Sequence, residues 1–277
     1  MKRLFTLLAI VALLPAISFA QVKKADAPIR QGYDTPLYGD VESITIRQYK
    51  LEDKFGEVVK GKMGVCDKYT FNQRGDAVEM ARYISGGSLY RKELYKYDSA
   101  GNMIEKAEYY SDGSLKGKDL YKYDSAGNMI EKAEYNYDGR LKGKDLYKYD
   151  SEGNMIEKTH SLEKGLWKYD SAGNMIEWAY YNSYGRLMLK DLYKYDSEGN
   201  MIEEARYNSY GSLDYERLYK YDSEGNMIEM AEYYSDGSLG WKYLYKYDSA
   251  GNIIEKTHYK GEIMVPQNIT EYEIVYR

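Results

Sequence analysis

The stretch LYKYDSAGNMIEKAEYNYDGRL, residues 120–141, contains both kinds of punctuation that this chain uses. In Asp124-Ser125-Ala126-Gly127-Asn128 an Asp opens the turn and a Gly stands fourth. That is type I turn chemistry, with the glycine in left-handed backbone closing a three-residue hairpin loop with a bulge. Asn136-Tyr137-Asp138-Gly139-Arg140 follows the same recipe. Turn glycines at 127, 139 and 153 leave room for strands of about 8 residues, a usual length. The stretch therefore reads as successive antiparallel hairpins.

Along the rest of the chain, the glycine of the first turn recurs at 75, 101, 127, 153, 173, 199, 225 and 251, a spacing of 26 residues broken once by 20. Such a period marks a repeat architecture in which no unit buries its own face alone. The copy DKYTFNQRGDAVEMARY is degenerate, and YKLEDKFGEVV before it is a more worn one, as expected of terminal repeats. The expected fold is all-β: a long antiparallel β-meander of 26-residue two-strand repeats, curled or spiralling into an open barrel-like shell. It occupies residues 41–277 as a single domain. Residues 1–20, with Lys2 and Arg3, the apolar run LFTLLAIVALL and the ending ISFA, read as a secretory signal peptide. Residues 21–40, with Pro28 and Pro36, read as a linker.

Composition narrows the function. The net charge of −5 becomes −7 once Lys2 and Arg3 are removed, and an acidic chain of this kind offers no face to nucleic acid. The single Cys66 cannot form an intramolecular disulfide, so an exported chain must be held by packing and pairing; Cys66 reads as a small buried hydrophobe. The 35 tyrosines against 4 Phe and 3 Trp mean that any core is built from phenols.

Pairing Asp124 with Asn128 puts Tyr123 opposite Met129, Tyr121 opposite Glu131 and Asp119 opposite Ala133. Across the second turn, Tyr135 meets Leu141 and Glu131 meets Asp145. One face then holds the tyrosines, Met129, Leu141 and the glutamates. The other holds Lys122, Lys132, Glu134, Lys142, Lys144 and Lys148. Because 26 and 20 are both even, the tyrosine pairs stay on one face in every copy, and a twisted sheet curls over such a face. The expected candidate ligand face is Tyr121, Tyr123, Glu131, Tyr147, Tyr149, Glu157, Trp167, Tyr169 and Glu177. Each such glutamate, accepting from a neighbouring tyrosine hydroxyl, would otherwise form a structural ladder. The shortened unit at Thr159–Trp167 is the expected place for an opening. His160 and His258, both in EKTH, fall on the charged face, too far apart for a metal pair.

The motifs YKYDSAGNMIE and YYSDGSL resemble the YD repeats of the RHS family, and small exported repeat proteins of Bacteroidetes-type bacteria, from about Tyr49 onward. The resemblance implies a β-meander spiralling into a shell. In large RHS proteins that shell encloses a toxin; only 26 residues follow Gly251 here, so no cargo is expected. The Asp-Ser-Ala turns at Ser99, Ser125, Ser171 and Ser249 resemble Bacteroidetes O-glycosylation acceptors, although turn chemistry alone accounts for them.

No phosphate loop, CxxC pair or nucleophile beside a base is present, and a motif copied this often is architecture. Lysines on one face and glutamates on the other suit neither side of a membrane barrel to lipid. The expectation is an exported, non-catalytic protein of the cell envelope without cofactor or metal. It would bind a glycan or protein, or else serve as a scaffold without a ligand. The sequence leaves its oligomeric state open.

Overall fold

The computed structural model describes residues 37–261 and 265–277; the signal peptide and most of the linker lie outside them. Long β1 (Val41–Lys54) and β2 (Glu57–Phe71) open the chain. Two-strand units follow: β3 (Ala77–Ile84) and β4 (Leu89–Tyr97), β5 (Met103–Tyr110) and β6 (Leu115–Tyr123), β7 (Met129–Asn136) and β8 (Leu141–Tyr149). The shortened unit is β9 (Met155–His160) and β10 (Glu163–Tyr169). Then come β11 (Met175–Tyr181) and β12 (Leu187–Tyr195), β13 (Met201–Asn208) and β14 (Leu213–Tyr221), β15 (Met227–Tyr234) and β16 (Leu239–Tyr247), and β17 (Ile253–Lys260) and β18 (Pro266–Tyr276).

Each strand pairs antiparallel with the next, and β18 pairs antiparallel with β1, from Val41↔Tyr276 to Lys50↔Asn268. The meander therefore closes into an 18-stranded β-barrel in which every described strand has a partner on each side. A ring of this size encloses a lumen wider than its side chains can fill.

One ring end, the Asp rim, carries the Asp-x-x-Gly-Asn turns. Asp124 Oδ1 accepts from the amides of Ala126 and Asn128, while Asn128 Nδ2 donates to Asp124 Oδ2 at 2.7 Å. Gly127 sits at φ +80°, where a side chain would be strained. The last copy is used differently. Asn252 Oδ1 accepts from the Tyr38 amide, and its Nδ2 donates to the Tyr38 carbonyl and to Tyr276 Oη. Tyr276 Oη in turn donates to Asp248. Arg277 reaches Asp40 and the carbonyls of Phe71 and Asn72. One repeat turn thus clasps both ends of the described chain where the ring closes.

The register corrects the faces expected from the sequence. Tyr123 does oppose Met129, but a bulge at Ile130 follows, so Lys122 opposes Glu131, Tyr121 opposes Lys132, and Asp119 opposes Glu134. A second bulge at Lys142 puts Glu134 opposite Gly143 and Lys132 opposite Asp145. Each bulge inserts one residue and flips every later side chain. The tyrosine face therefore carries Lys132, Glu134, Asp119 and Asp145. Glu131 lies on the opposite face with Lys122, Ala133 and Leu146. His160 and His258 move the other way, pairing with Asp145 and Tyr243 on the tyrosine face.

The tyrosine face is the concave one. Side chains converge on the inside of a closed sheet, so Lys132 exposes 24% of its side chain there and Lys122, on the other face, 67%. Side chains two strands apart also meet on it: Tyr69, Tyr95 and Tyr121, on β2, β4 and β6, share one buried cluster with Ile44, Met80 and Met103. A second cluster joins Tyr219, Tyr245, Met227 and Ile253.

Candidate functional site

The nine residues singled out from the sequence do not form one surface. Tyr121, Tyr123, Tyr147, Tyr149, Trp167 and Tyr169 face the lumen, whereas Glu131, Glu157 and Glu177 are on the outer face. There Glu131 is bridged by Lys122 and Lys144 at 3.0 and 2.6 Å, Glu157 by Lys148 and Lys164, and Glu177 by Lys168. The lysine contacts hold Glu131 and Glu157 below the usual carboxylate range. These glutamates form an outer Lys–Glu belt instead of a tyrosine ladder.

The lumen tyrosines are mostly committed to structure. Tyr123, Tyr149, Tyr195, Tyr221 and Tyr247 each donate to a methionine carbonyl 20 residues back, at 2.6–2.8 Å, and in the shortened unit Tyr169 donates to Met155, 14 residues back, at 2.9 Å. The first tyrosine of each Tyr-Lys-Tyr pair turns to an acid: Tyr95 to Glu93, Tyr121 to Asp119, Tyr147 to Asp145, Tyr219 to Glu204. Burial, and then nearby carboxylates, push Tyr69, Tyr123 and Tyr149 up to about 12, so the hydroxyls stay protonated donors.

The shortened unit does not open the wall. β9 pairs with β8 and β10, and β10 with β11, around a turn at Ser161 (φ 54°). Cys66 is buried, and burial raises its thiol pKa. His160 Nδ1 meets Asp145 at 2.5 Å, beside Lys158. His258 stacks on Tyr243, its pKa lowered by burial and then by Lys256 and Lys260. Among the described residues, no group of three or more His, Cys, Asp or Glu side chains could hold a metal ion.

The structure instead brings together residues that break the repeat. At the mid-strand lumen positions, consensus units carry Gly117, Lys132 and Gly143. From β10 to β17 the corresponding positions carry Trp178, Tyr215 and Trp241. With Trp167, they make a continuous stripe across the lumen wall. The rings of Trp167 and Trp178 lie 6.1 Å apart. Arg206 lies 5.9 Å from the Trp178 ring and 5.1 Å from that of Tyr215. Arg217 follows, 4.5 Å from Tyr215 and 5.6 Å from Trp241, and Trp241 meets Tyr243 at 5.0 Å.

Acids fix the arginines. Asp191 takes Arg206 in a two-pronged contact at 2.7 Å, and Arg217 lies between Glu204 and Glu232. The Asp191 bond raises the Arg206 pKa. Arg217 is raised too, because Glu204, Tyr215 and Glu232 outweigh its burial. Gly165 leaves space that the two tryptophans fill: a Cβ there would come within 2.7 Å of Trp167 and 3.1 Å of Trp178. Two stripe donors, Trp178 Nε1 and Tyr215 Oη, are buried without a hydrogen-bond partner. The sequence signal for this stripe was available: all three tryptophans fall at or after Trp167, each where its neighbours repeat something else.

The fold and its inner face define a closed antiparallel repeat barrel whose lumen is chemically uneven. No family model matches the sequence, and no curated protein is similar to it in sequence. Among solved structures, it is similar to a porin-like protein from Bacteroides uniformis, at 9% identity and TM-score 0.45, covering 86% of this chain and 98% of that one. It is also similar to the Photorhabdus luminescens Tc holotoxin pore, at 13% identity and TM-score 0.39, over 79% of this chain and 13% of that chain. A TcdB2-TccC3-Cdc42 structure matches at 14% identity and TM-score 0.26, over 83% of this chain and 16% of that chain. The chain spans only a small part of the toxin chains it matches. An 18-strand barrel fits a repeat shell; likeness at this level carries nothing about activity.

Proposed function

We propose that this chain is an exported, non-catalytic shell of the YD-repeat kind, acting at the cell envelope, and that its lumen stripe binds a glycan. The carrying observation is the concentration of Trp178, Tyr215, Trp241 and the two intervening arginines on one sector of an otherwise repetitive wall. Architecture explains residues that recur in every unit; it does not explain aromatic replacements confined to one sector of the ring, on β11, β14 and β16. Flat aromatic faces stack on sugar rings. Trp178 Nε1 and Tyr215 Oη are buried without a partner, each costing about 1–3 kcal/mol, so the wall's own hydrogen bonding does not account for these rings being there. The outer Lys–Glu belt argues against insertion across a bilayer, where exposed lysines are costly.

All three tryptophans lie in or beside the stripe, so intrinsic tryptophan fluorescence reports on it directly. Titration of the chain from Gln21 with a panel of oligosaccharides is expected to give a saturable change. That change should be lost in a folded Trp178→Ala/Trp241→Ala variant and kept in Tyr149→Phe, which alters only a structural hydroxyl. A second reading, a scaffold without ligand, is favoured by the commitment of the repeat tyrosine hydroxyls to carbonyls and acids. The absence of any saturable change across the panel would establish that reading instead.

A further inference from the structure

The two ends of the barrel use one turn and dress it differently. At both, apart from the two-residue turns at Phe55-Gly56 and Ser161-Leu162, the first residue's amide bonds to the fifth residue's carbonyl and the fourth residue's amide bonds back to the first, as in Asp124/Asn128 and Asn136/Arg140. Turn geometry therefore places no demand on the two central side chains. On the Asp rim these are Ser-Ala or Ser-Glu in every unit from Ser99 on. The far rim places an exposed apolar or aromatic side chain in each of its described turns, beside serines and, in three of them, an aspartate. Phe55, Tyr137, Leu162, Tyr184 and Tyr210 stand at its tips, Tyr184 with 92% of its surface exposed. The remaining turns, at 84–88, 110–114 and 234–238, each open with an exposed Ile or Tyr.

We infer that the far rim seats on the surface of a neutral lipid bilayer, with these tips in the headgroup region and the barrel standing on the membrane without crossing it. Three observations select this occupant. Adjacent hairpins are two strands, or about 10 Å, apart, so only a surface as broad as the barrel mouth meets the whole ring at once. Tyrosine, with an apolar ring and a polar end, is suited to the membrane interface. Finally, the rim is not flat. The last rungs of the β1–β2 hairpin, Leu51↔Lys60 to Lys54↔Glu57, extend past the pairings of β3 and β18 and carry Phe55 at their end. A fluid surface accommodates that projection, whereas a second copy meeting rim to rim would be held off by it. The net charge, −7 without Lys2 and Arg3, points to neutral rather than anionic lipid. This inference is independent of the lumen ligand.

The test is co-sedimentation of the chain with phosphatidylcholine vesicles at low and high salt. The chain is expected to pellet equally at both. Changing Phe55, Tyr137, Leu162, Tyr184 and Tyr210 together to Ser should weaken binding on the order of tenfold or more. A Tyr184→Trp variant, which tolerates its exposed turn position, supplies a second readout: its added fluorescence should shift to the blue with vesicles. Four results would overturn the inference: no pelleting together with an unshifted emission of the Tyr184→Trp variant, binding only to anionic vesicles and abolished by salt, binding unaffected by the five changes, or a dimer that those changes dissociate in place of vesicle binding.

Discussion

The two tyrosines of a unit perform different tasks, and each hydroxyl depends on staying protonated. Tyr149 bonds to the Met129 carbonyl, while its neighbour Tyr147 turns to Asp145. Burial, followed by the nearest carboxylate or ring, raises their pKa values; Tyr69, Tyr123, Tyr149 and Tyr221 reach about 12 against 10 in the unfolded chain. A phenol that holds its proton more tightly folded than unfolded stabilises the fold below pH 10. That contribution drains away as pH climbs from 10 toward 12. Unfolding followed by circular dichroism is therefore expected to set in within this window, together with cooperative tyrosinate absorbance. Tyrosinate appearing near pH 10 with the sheet intact would show that the hydroxyls are not buried donors.

Among the strands and turns, the decisive feature is the bulge. Ile130 after the Asp turn and Lys142 after the second turn each add a residue to the outgoing strand, and so decide which side the glutamates take. Two bulges per unit cancel, so whole units are interchangeable and single strands are not. Deleting Asp98–Tyr123 joins Tyr97 to Asp124, recreates the same local sequence and removes β5 and β6 together. The product is expected to melt cooperatively as a 16-stranded ring. Deleting residues 98–110 alone leaves an odd number of strands, so the last would meet β1 parallel and the antiparallel seam could not form. A deletion of 98–110 as stable as the whole-unit deletion would refute the closed-ring account.

For the barrel as a unit, stability rests on one seam. β1 and β18 are joined by their ladder and by the clasp in which Tyr276 and Tyr38 hold Asp248 and Asn252. Arg277 adds contacts to Asp40 and to the Phe71 and Asn72 carbonyls. Removing Tyr276 and Arg277 is expected to speed amide hydrogen exchange in β1 and β18 well before β5–β8. It should also promote self-association through the exposed edges. Uniform exchange across all strands after truncation would mean that the clasp does not control closure.

Strands, turns and the single repeated unit were legible along the chain. Turn chemistry and period-two alternation are local, and Asp124 to Asn128 declares its hairpin without reference to anything distant. The even repeat length likewise settles that the tyrosines share a face. The partner of each side chain beyond the first rung was not legible. Glu131 is expected among tyrosines when the pairing is counted straight through Ile130, and a one-residue bulge reverses that answer. The stripe from Trp167 to Tyr243 showed along the chain only as three tryptophans at positions that break the repeat; that they form one surface was not legible, because its members lie far apart in sequence and only the sheet sets neighbouring strands about 5 Å from one another. Closure itself was beyond local reading, since it depends on accumulated twist bringing Tyr276 to Asn252 and Tyr38, the last of them more than 200 residues earlier.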